Sequence, residues 1–235
     1  MQVDCVFIAA GGSGNRAYDQ TNGMGKQFLF VNGNPLLYYV IKYALSLDVS
    51  RVVVAIGKFS FSDPKVLASL NGIKDSRLIL RQDPGVGIDD LPKFLEADLT
   101  YPFLYLFGHS PQSEDYLFNF VSLSNPERSI CMSCYKSTTQ LNPKVGKLVG
   151  GKIINFKRES KSYILKPDEY FLSAPYIFFS VNNPYADSDN SNMKNVSLRG
   201  LVNFSHPEFN ESNEVHELSK EVGLLARRVK CTPPK

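Results

Sequence analysis

The chain has 235 residues, 43% of them hydrophobic and 21% charged, the balance of an ordinary soluble globular protein with enough apolar mass for one sizeable core. A formal net charge of +3 is too small to make nucleic acid or an anionic membrane the main partner, and no apolar run approaches the roughly 18 residues of a membrane span. The chain enters a strand within two residues, with no basic leader or cleavage site before it, so the expectations are a cytoplasmic location and a single domain over 1–235.

In chain order, strands are expected at 3–9, 51–57, 77–82, 101–108 and 129–135, each an apolar run bounded by turn residues. Helices are expected between them at 35–47, 63–71, 88–98 and 113–122. The first opens on Pro35, tolerated at the start of a helix, and repeats apolar residues at helical spacing. This alternation implies right-handed βαβ units and a mostly parallel, doubly wound α/β sheet. After residue 135 the pattern changes. Segments 144–149 and 152–156 flank Gly150-Gly151, a hairpin signal, and 174–181 reads as a further apolar strand. Residues 182–195 read as a loop or a capped helix start, and 212–228 as helical.

Four cysteines (Cys5, Cys131, Cys134, Cys231) are too few for a disulfide scaffold at this length. Cys131 and Cys134 have the spacing of half a zinc site but lack a second pair. They also lie in an expected strand, where odd spacing sends the thiols to opposite faces. Buried structural thiols are the expectation.

The chemistry concentrates in residues 8–27, IAAGGSGNRAYDQTNGMGKQ. A buried strand runs into Gly11, Gly12, Ser13 and Gly14, where backbone N–H groups can converge on an anion. Arg16 adds a bidentate fork for phosphate oxygens and Lys26 a point charge. The loop formally fits the dinucleotide fingerprint, but polar residues follow it in place of an apolar helical stripe. The second strand also ends without an acid until Asp63. A Walker A loop is excluded, since no Gly-Lys-Ser/Thr follows the glycines. A dinucleotide oxidoreductase stays a lesser alternative, and a plain structural turn with solvated Arg16 and Lys26 is another.

The spacing of GGSGNR, Lys26-Gln27, a short apolar strand, a turn and Pro35 before a helix resembles the N-terminal signature of sugar-phosphate nucleotidyltransferases. The closest likeness is to the glucose-1-phosphate thymidylyltransferase type. Gln82-Asp83-Pro84-Gly85-Val86-Gly87 is similar to the family's base-reading block, which implies that Gln82 and Gly87 read the nucleobase edge. The hairpin, Lys166-Pro167 and the strand after it resemble the family's central hairpin and Glu-Lys-Pro motif, implying that Lys166 faces the reacting phosphates. The resemblance implies a Rossmann-like, glycosyltransferase-A-type sheet with an inserted β-hairpin region. The implied reaction transfers a nucleotidyl group from an NTP to a sugar-1-phosphate or polyol phosphate and releases pyrophosphate, with Mg2+ as cofactor. No nucleic acid or membrane partner is implied, and homo-oligomerisation stays open.

Two positions depart from the family pattern. Gly108-His109 stands where the family places a Gly-Asp metal ligand, and imidazole is a poor magnesium donor. His109 is then a candidate phosphate contact, and Asp115, Asp187 and Asp189 are candidate acids with no assigned place. Leu165 replaces the Glu of Glu-Lys-Pro. These departures keep a second reading open, a nucleotide-binding or nucleotide-sugar-binding protein of the same fold without turnover.

Overall fold

Cys5–Ala10 forms the first strand, β1, of a computed structural model that describes residues 3–12, 25–83, 98–112, 114–123, 130–135, 140–141, 144–149, 152–159, 161–178 and 198–203. A short 3-10 turn, Lys26–Phe28, leads into the two-residue strands β2 (Phe30–Val31) and β3 (Asn34–Pro35). Their turn is Asn32-Gly33, with φ of 50° and 82°. Both values lie in the left-handed region that Asn and Gly tolerate, which makes Asn-Gly a strong two-residue hairpin signal.

Helix α1 follows at Leu36–Ser46 and buries Leu37, Val40, Ile41 and Ala44. Arg77 closes its far end, its guanidinium donating to the carbonyls of Leu45 (2.7 Å) and Leu47 (3.2 Å) while Asp75 holds it. A cation at the carbonyl end of a helix also suits the dipole.

Strand β4 (Arg51–Ile56) is followed by the short helix α2 (Lys58–Phe61) and by α3 (Pro64–Asn71). Asp63 caps α3, accepting from the N–H groups of Lys65 and Val66. The first carboxylate after the second parallel strand is thus occupied as a helix cap. Strands β5 (Leu78–Gln82) and β6 (Phe103–Phe107) complete a four-stranded parallel unit, and α4 (Glu114–Leu123) packs beside α1.

The rest is mostly strand: β7 (Ile130–Tyr135), β8 (Gln140–Leu141), β9 (Lys144–Val149), β10 (Lys152–Arg158), β11 (Ser162–Tyr163), β12 (Glu169–Phe178) and β13 (Leu198–Asn203). The main sheet has the order β5-β4-β1-β6-β12-β7-β13-β10-β9. Following the pairings, β5, β4, β1, β6, β7, β13 and β9 run one way and only β12 and β10 the other, so the sheet is mostly parallel as the alternating pattern implies. The hairpin β9–β10 forms as its glycines suggest. It is also joined to the main sheet, because β9 pairs with β12 and β10 with β13.

Alternation within the central strands explains why they are nearly continuous apolar runs. Val6, Ile8, Val52, Val54, Leu104 and Leu106 face the core beneath α1 and α4. Phe7, Val53, Tyr105 and Tyr176 lie on the opposite face and are also buried. Cys5 is a buried structural thiol, its Sγ bonded to the backbone of Thr100, and burial pushes its pKa up.

Two strands differ from the sequence pattern, β12 in where it starts and β13 in forming where no element is expected. Strand β12 starts at Glu169, five residues before the expected 174, because the polar Glu169 is buried there by partners from other segments. Strand β13 has a mid-strand Gly200 and gains its register from β7. The elements expected at 182–195 and 212–228, and that at 88–98 apart from Asp98, lie outside the described residues.

Candidate functional site

Parallel strands bring their carboxyl ends to one edge, and in open α/β sheets ligands bind in the crevice outside that edge. Four of the expected site residues meet it. Gly11 and Gly12 follow β1, Gln82 ends β5 with its side chain exposed, and His109 lies two residues past β6. Lys26 stands nearby at the start of the 3-10 turn, half-buried.

The glycine loop is held by a residue that the sequence pattern left without a role. Gln27 is buried, and its amide donates to the carbonyl of Ala10 at 2.6 Å and to that of Gly12 at 3.1 Å. With these two carbonyls tied to one side chain, the loop's orientation is set by a donor fifteen to seventeen residues downstream. Gly25 makes the approach possible: a Cβ there would lie 2.2 Å from Gln27 Nε2 and 2.3 Å from the Gly12 carbonyl oxygen. Backbone cannot yield as a side-chain tip can. Gly25→Ala should therefore lower the melting temperature and weaken anion binding, whereas Gly72→Ala should be neutral or slightly stabilising. A Cβ at Gly72 meets nothing closer than the Ser69 carbonyl at 3.6 Å. Calorimetry of the two variants side by side checks this contrast.

A carboxylate also reaches the loop. Asp83 follows Gln82, and its N–H donates to the Ile56 carbonyl at 2.7 Å, extending the β4–β5 ladder by one residue. A Cβ on Gly11 would lie 1.7 Å from Asp83 Oδ2, so the carboxylate rests directly against the loop's first glycine. Gly57, at the end of β4, packs against Gly11 as well: its Cβ would stand 2.9 Å from the Gly11 carbonyl oxygen.

At the end of β6, the His109 ring stacks on Phe107 with centroids 5.4 Å apart and planes 16° from parallel. Ser110 and Gln112 are buried and bonded to each other at 3.2 Å. Among the described residues, no group of three or more His, Cys, Asp or Glu side chains could hold a metal ion. Asp115 is exposed in the first turn of α4, and Asp187 and Asp189 lie outside the described residues.

Lys166 is exposed in the turn before β12. Antiparallel pairing of β12 with β6, Tyr176 opposite Tyr105, carries the amino-terminal part of β12 past the carboxyl end of β6 and so toward the same edge. The described contacts do not join Lys166 to the glycine loop. They hold it from the other side: its N–H donates to Glu169 Oε2 at 3.0 Å, and Tyr163 donates to the same oxygen at 2.8 Å. Lys157 Nζ stands 3.6 Å from Glu169 Oε1 and bonds the Tyr163 hydroxyl at 2.7 Å. Burial alone would raise the Glu169 pKa, but the Lys166 N–H, the Tyr163 hydroxyl and the Lys157 ammonium outweigh it and hold the carboxyl below its usual range. Leu165 packs against the small core of Val145 and Phe171, so this position fills a core, and the acid of the Lys-Pro turn comes from Glu169. Arg16, Ser13, Gly14 and Gly87 lie outside the described residues.

No family model matches the chain. Over 132 residues it is 25% identical to the 2-C-methyl-D-erythritol 4-phosphate cytidylyltransferase of Clostridium novyi (strain NT), covering 45% of this chain and 55% of that enzyme, so it spans about half the length of the curated relative it matches. The inositol-1-phosphate CTP transferase from T. maritima superposes with a TM-score of 0.69 at 15% identity, covering 94% of this chain and 97% of that one. A CMP:2-keto-3-deoxy-manno-octonic acid synthetase solved with CTP gives 0.64 at 16% identity, over 95% and 99%. A Bacillus anthracis protein, provisionally assigned as a glucose-1-phosphate thymidylyltransferase and solved with a sucrose, gives 0.68 at 17%, over 92% and 94%. The chain therefore has the α/β fold of these nucleotidyltransferases.

Proposed function

We propose that this chain, built on the nucleotidyltransferase fold, transfers a nucleotidyl group from an NTP to a phosphorylated sugar or polyol and releases pyrophosphate. The observation that carries the reading is the Gln27 clamp. It ties off two carbonyls of a glycine loop at the carboxyl end of the central strand, an arrangement suited to leaving N–H groups for an anion. In this reading Gly11, Gly12, Ser13 and Gly14 cradle the triphosphate, and Arg16 and Lys26 neutralise its charge. Gln82 and Gly87 read the base, His109 contacts phosphate, and Lys166 faces the reacting groups. An acceptor phosphate oxygen forms the new bond to the α-phosphorus as the bond from that phosphorus to the bridging oxygen of pyrophosphate breaks. Such chemistry is mostly positioning and charge neutralisation.

The fold's relatives make a divalent metal the expected cofactor. The described acids and His109 do not by themselves make a magnesium site, since hard oxygen donors do not gather there, and no step is assigned to the metal. Two of the named neighbours and the curated relative act on or were solved with cytidine nucleotides, so CTP is the first donor to try. The test is pyrophosphate release across four NTPs and several sugar and polyol phosphates, with magnesium or manganese. Release dependent on both substrates supports the reading. Tight nucleotide binding without release under every condition would overturn it.

That second outcome would favour a nucleotide-binding protein without turnover, the reading motivated by His109 and by Leu165, whose side chain serves a core. In that case His109→Asp should gain pyrophosphate release, as an oxygen donor replaces the imidazole.

A further inference from the structure

We propose that Glu169 is a positioning residue for Lys166, holding the Lys166-Pro167 turn through its carboxylate without touching the acceptor itself. This rests on the reading of Lys166 as facing the reacting groups.

Residues 166–169 close a tight turn. The Glu169 N–H donates to the Lys166 carbonyl at 3.1 Å, and Pro167 stands at the second position, where its fixed φ suits such a turn. The Glu169 carboxylate then reaches back, and its Oε2 accepts from the Lys166 N–H at 3.0 Å. Both backbone groups of Lys166 are thus tied to one residue. Leu165, just before it, is anchored against Val145 and Phe171. The adjustable part of Lys166 is its exposed side chain.

The carboxylate is itself fixed. Glu169 is buried, Tyr163 donates to the same Oε2 at 2.8 Å, and Lys157 Nζ stands 3.6 Å from Oε1. Lys157 also bonds the Tyr163 hydroxyl at 2.7 Å and lies 4.3 Å from the centroid of its ring. A buried carboxylate with both oxygens engaged is suited to hold its neighbour and not to take a sugar hydroxyl.

The charges around the turn are sorted to the same end. Asp168 pairs with Lys147, and Glu169 faces Lys157, so each acid of the turn is matched by a lysine of the β9–β10 hairpin. The Lys166 ammonium makes no hydrogen bond or ion pair with another described residue. With both acids matched elsewhere, neither holds that ammonium back from an incoming anion.

The test is steady-state kinetics of the full chain with CTP and whichever sugar or polyol phosphate gives pyrophosphate release, with circular dichroism of every variant. Lys166→Ala should lower kcat by about a hundredfold, as for loss of a charged contact made in the transition state. Glu169→Gln keeps an acceptor for both donors. It should lower kcat by roughly tenfold and leave both KM values within about twofold, since a small misplacement of a reacting group is costly. Tyr163→Phe, which removes one of the carboxylate's donors, should act in the same direction by less. In the Lys166→Ala background neither change should lower kcat further, because the side chain they aim is gone. Unchanged kcat in a folded Glu169→Gln protein overturns the proposal. A raised acceptor KM with kcat kept also overturns it, by making Glu169 a substrate contact. So does an equal fall in the Lys166→Ala background, which would show a general structural loss. Full activity in Lys166→Ala, or no release by wild type with any acceptor, would overturn the reading of Lys166 itself, and the positioning role with it.

Discussion

Replacing Gln27 by leucine should destabilise the protein by about 2 kcal/mol and weaken nucleotide binding by tenfold or more. The first figure follows from which carbonyls lose their donor. The bond to Ala10 is buried, so its carbonyl would be left without that donor away from water, a loss of roughly 1–3 kcal/mol. Gly12 is exposed, so water can replace the amide there at little cost. The larger functional effect arises because the loop would no longer be set in one orientation, and each tenfold in affinity needs only about 1.4 kcal/mol of lost preorganisation. Gln27→Glu gives a sharper result. Its carboxyl would face two carbonyl oxygens and could donate only when protonated, so its pKa in the folded state should rise above the unfolded value. A raised pKa means stabilisation present at low pH and lost as pH rises through the folded value. Thermal melts of Gln27→Glu should thus improve on acidification through the carboxylate range, and those of Gln27→Leu should not.

The second large effect is expected at Glu169. Its side chain is 5% exposed, accepts from Tyr163 and the Lys166 N–H, and faces Lys157. Removing one partner of a buried polar network costs roughly 3–5 kcal/mol, but Lys157 is 39% exposed and also pairs with Glu159 at 2.9 Å. We expect about 3 kcal/mol for Glu169→Ala and about half that for Glu169→Gln, which keeps an acceptor for the two donors. In a double-mutant cycle with Lys157→Ala, the Lys157–Glu169 coupling should be no more than about 1 kcal/mol, with most of the loss from the hydrogen bonds. Denaturant melts measure all of these. If Lys166 faces the reacting phosphates, Glu169→Gln should also lower kcat more than it raises nucleotide Kd.

The sign of the pH dependence follows from the same contacts. The Glu169 carboxyl is held below its usual range, so its contribution is present above the unfolded glutamate value and is lost as pH falls through the lowered one. The Tyr163 hydroxyl, then Glu159, raise the Lys157 pKa, so its contribution persists through the ordinary lysine range and is lost only as pH climbs beyond it. Acid melts of Glu169→Ala should accordingly show a shallower decline below pH 5 than wild type.

Much of the frame is legible in the sequence. The strands at 51–56 and 103–107 and the helix at 36–46 lie within a residue or two of where apolar runs and periodicity put them. Those signals are local, carried by the very residues that form each element. The glycine loop, the Lys26 position and the hairpin announced themselves in the same way, through backbone freedom and turn chemistry. The residues that hold the site together did not. Gln27 acts on carbonyls of Ala10 and Gly12, and a carbonyl has no signature in a sequence. Asp83 meaningfully meets Gly11 only because parallel pairing aligns the ends of β5, β4 and β1. Glu169 is a polar residue buried in a strand because Tyr163, Lys157 and the Lys166 N–H converge on it. The sequence by itself thus determined the central strands, the first long helix, the β9–β10 hairpin and the phosphate-loop candidate. Only the tertiary structure decided which polar side chains clamp and line that loop and which brace the Lys166 turn, because those choices depend on distances between segments far apart in the chain.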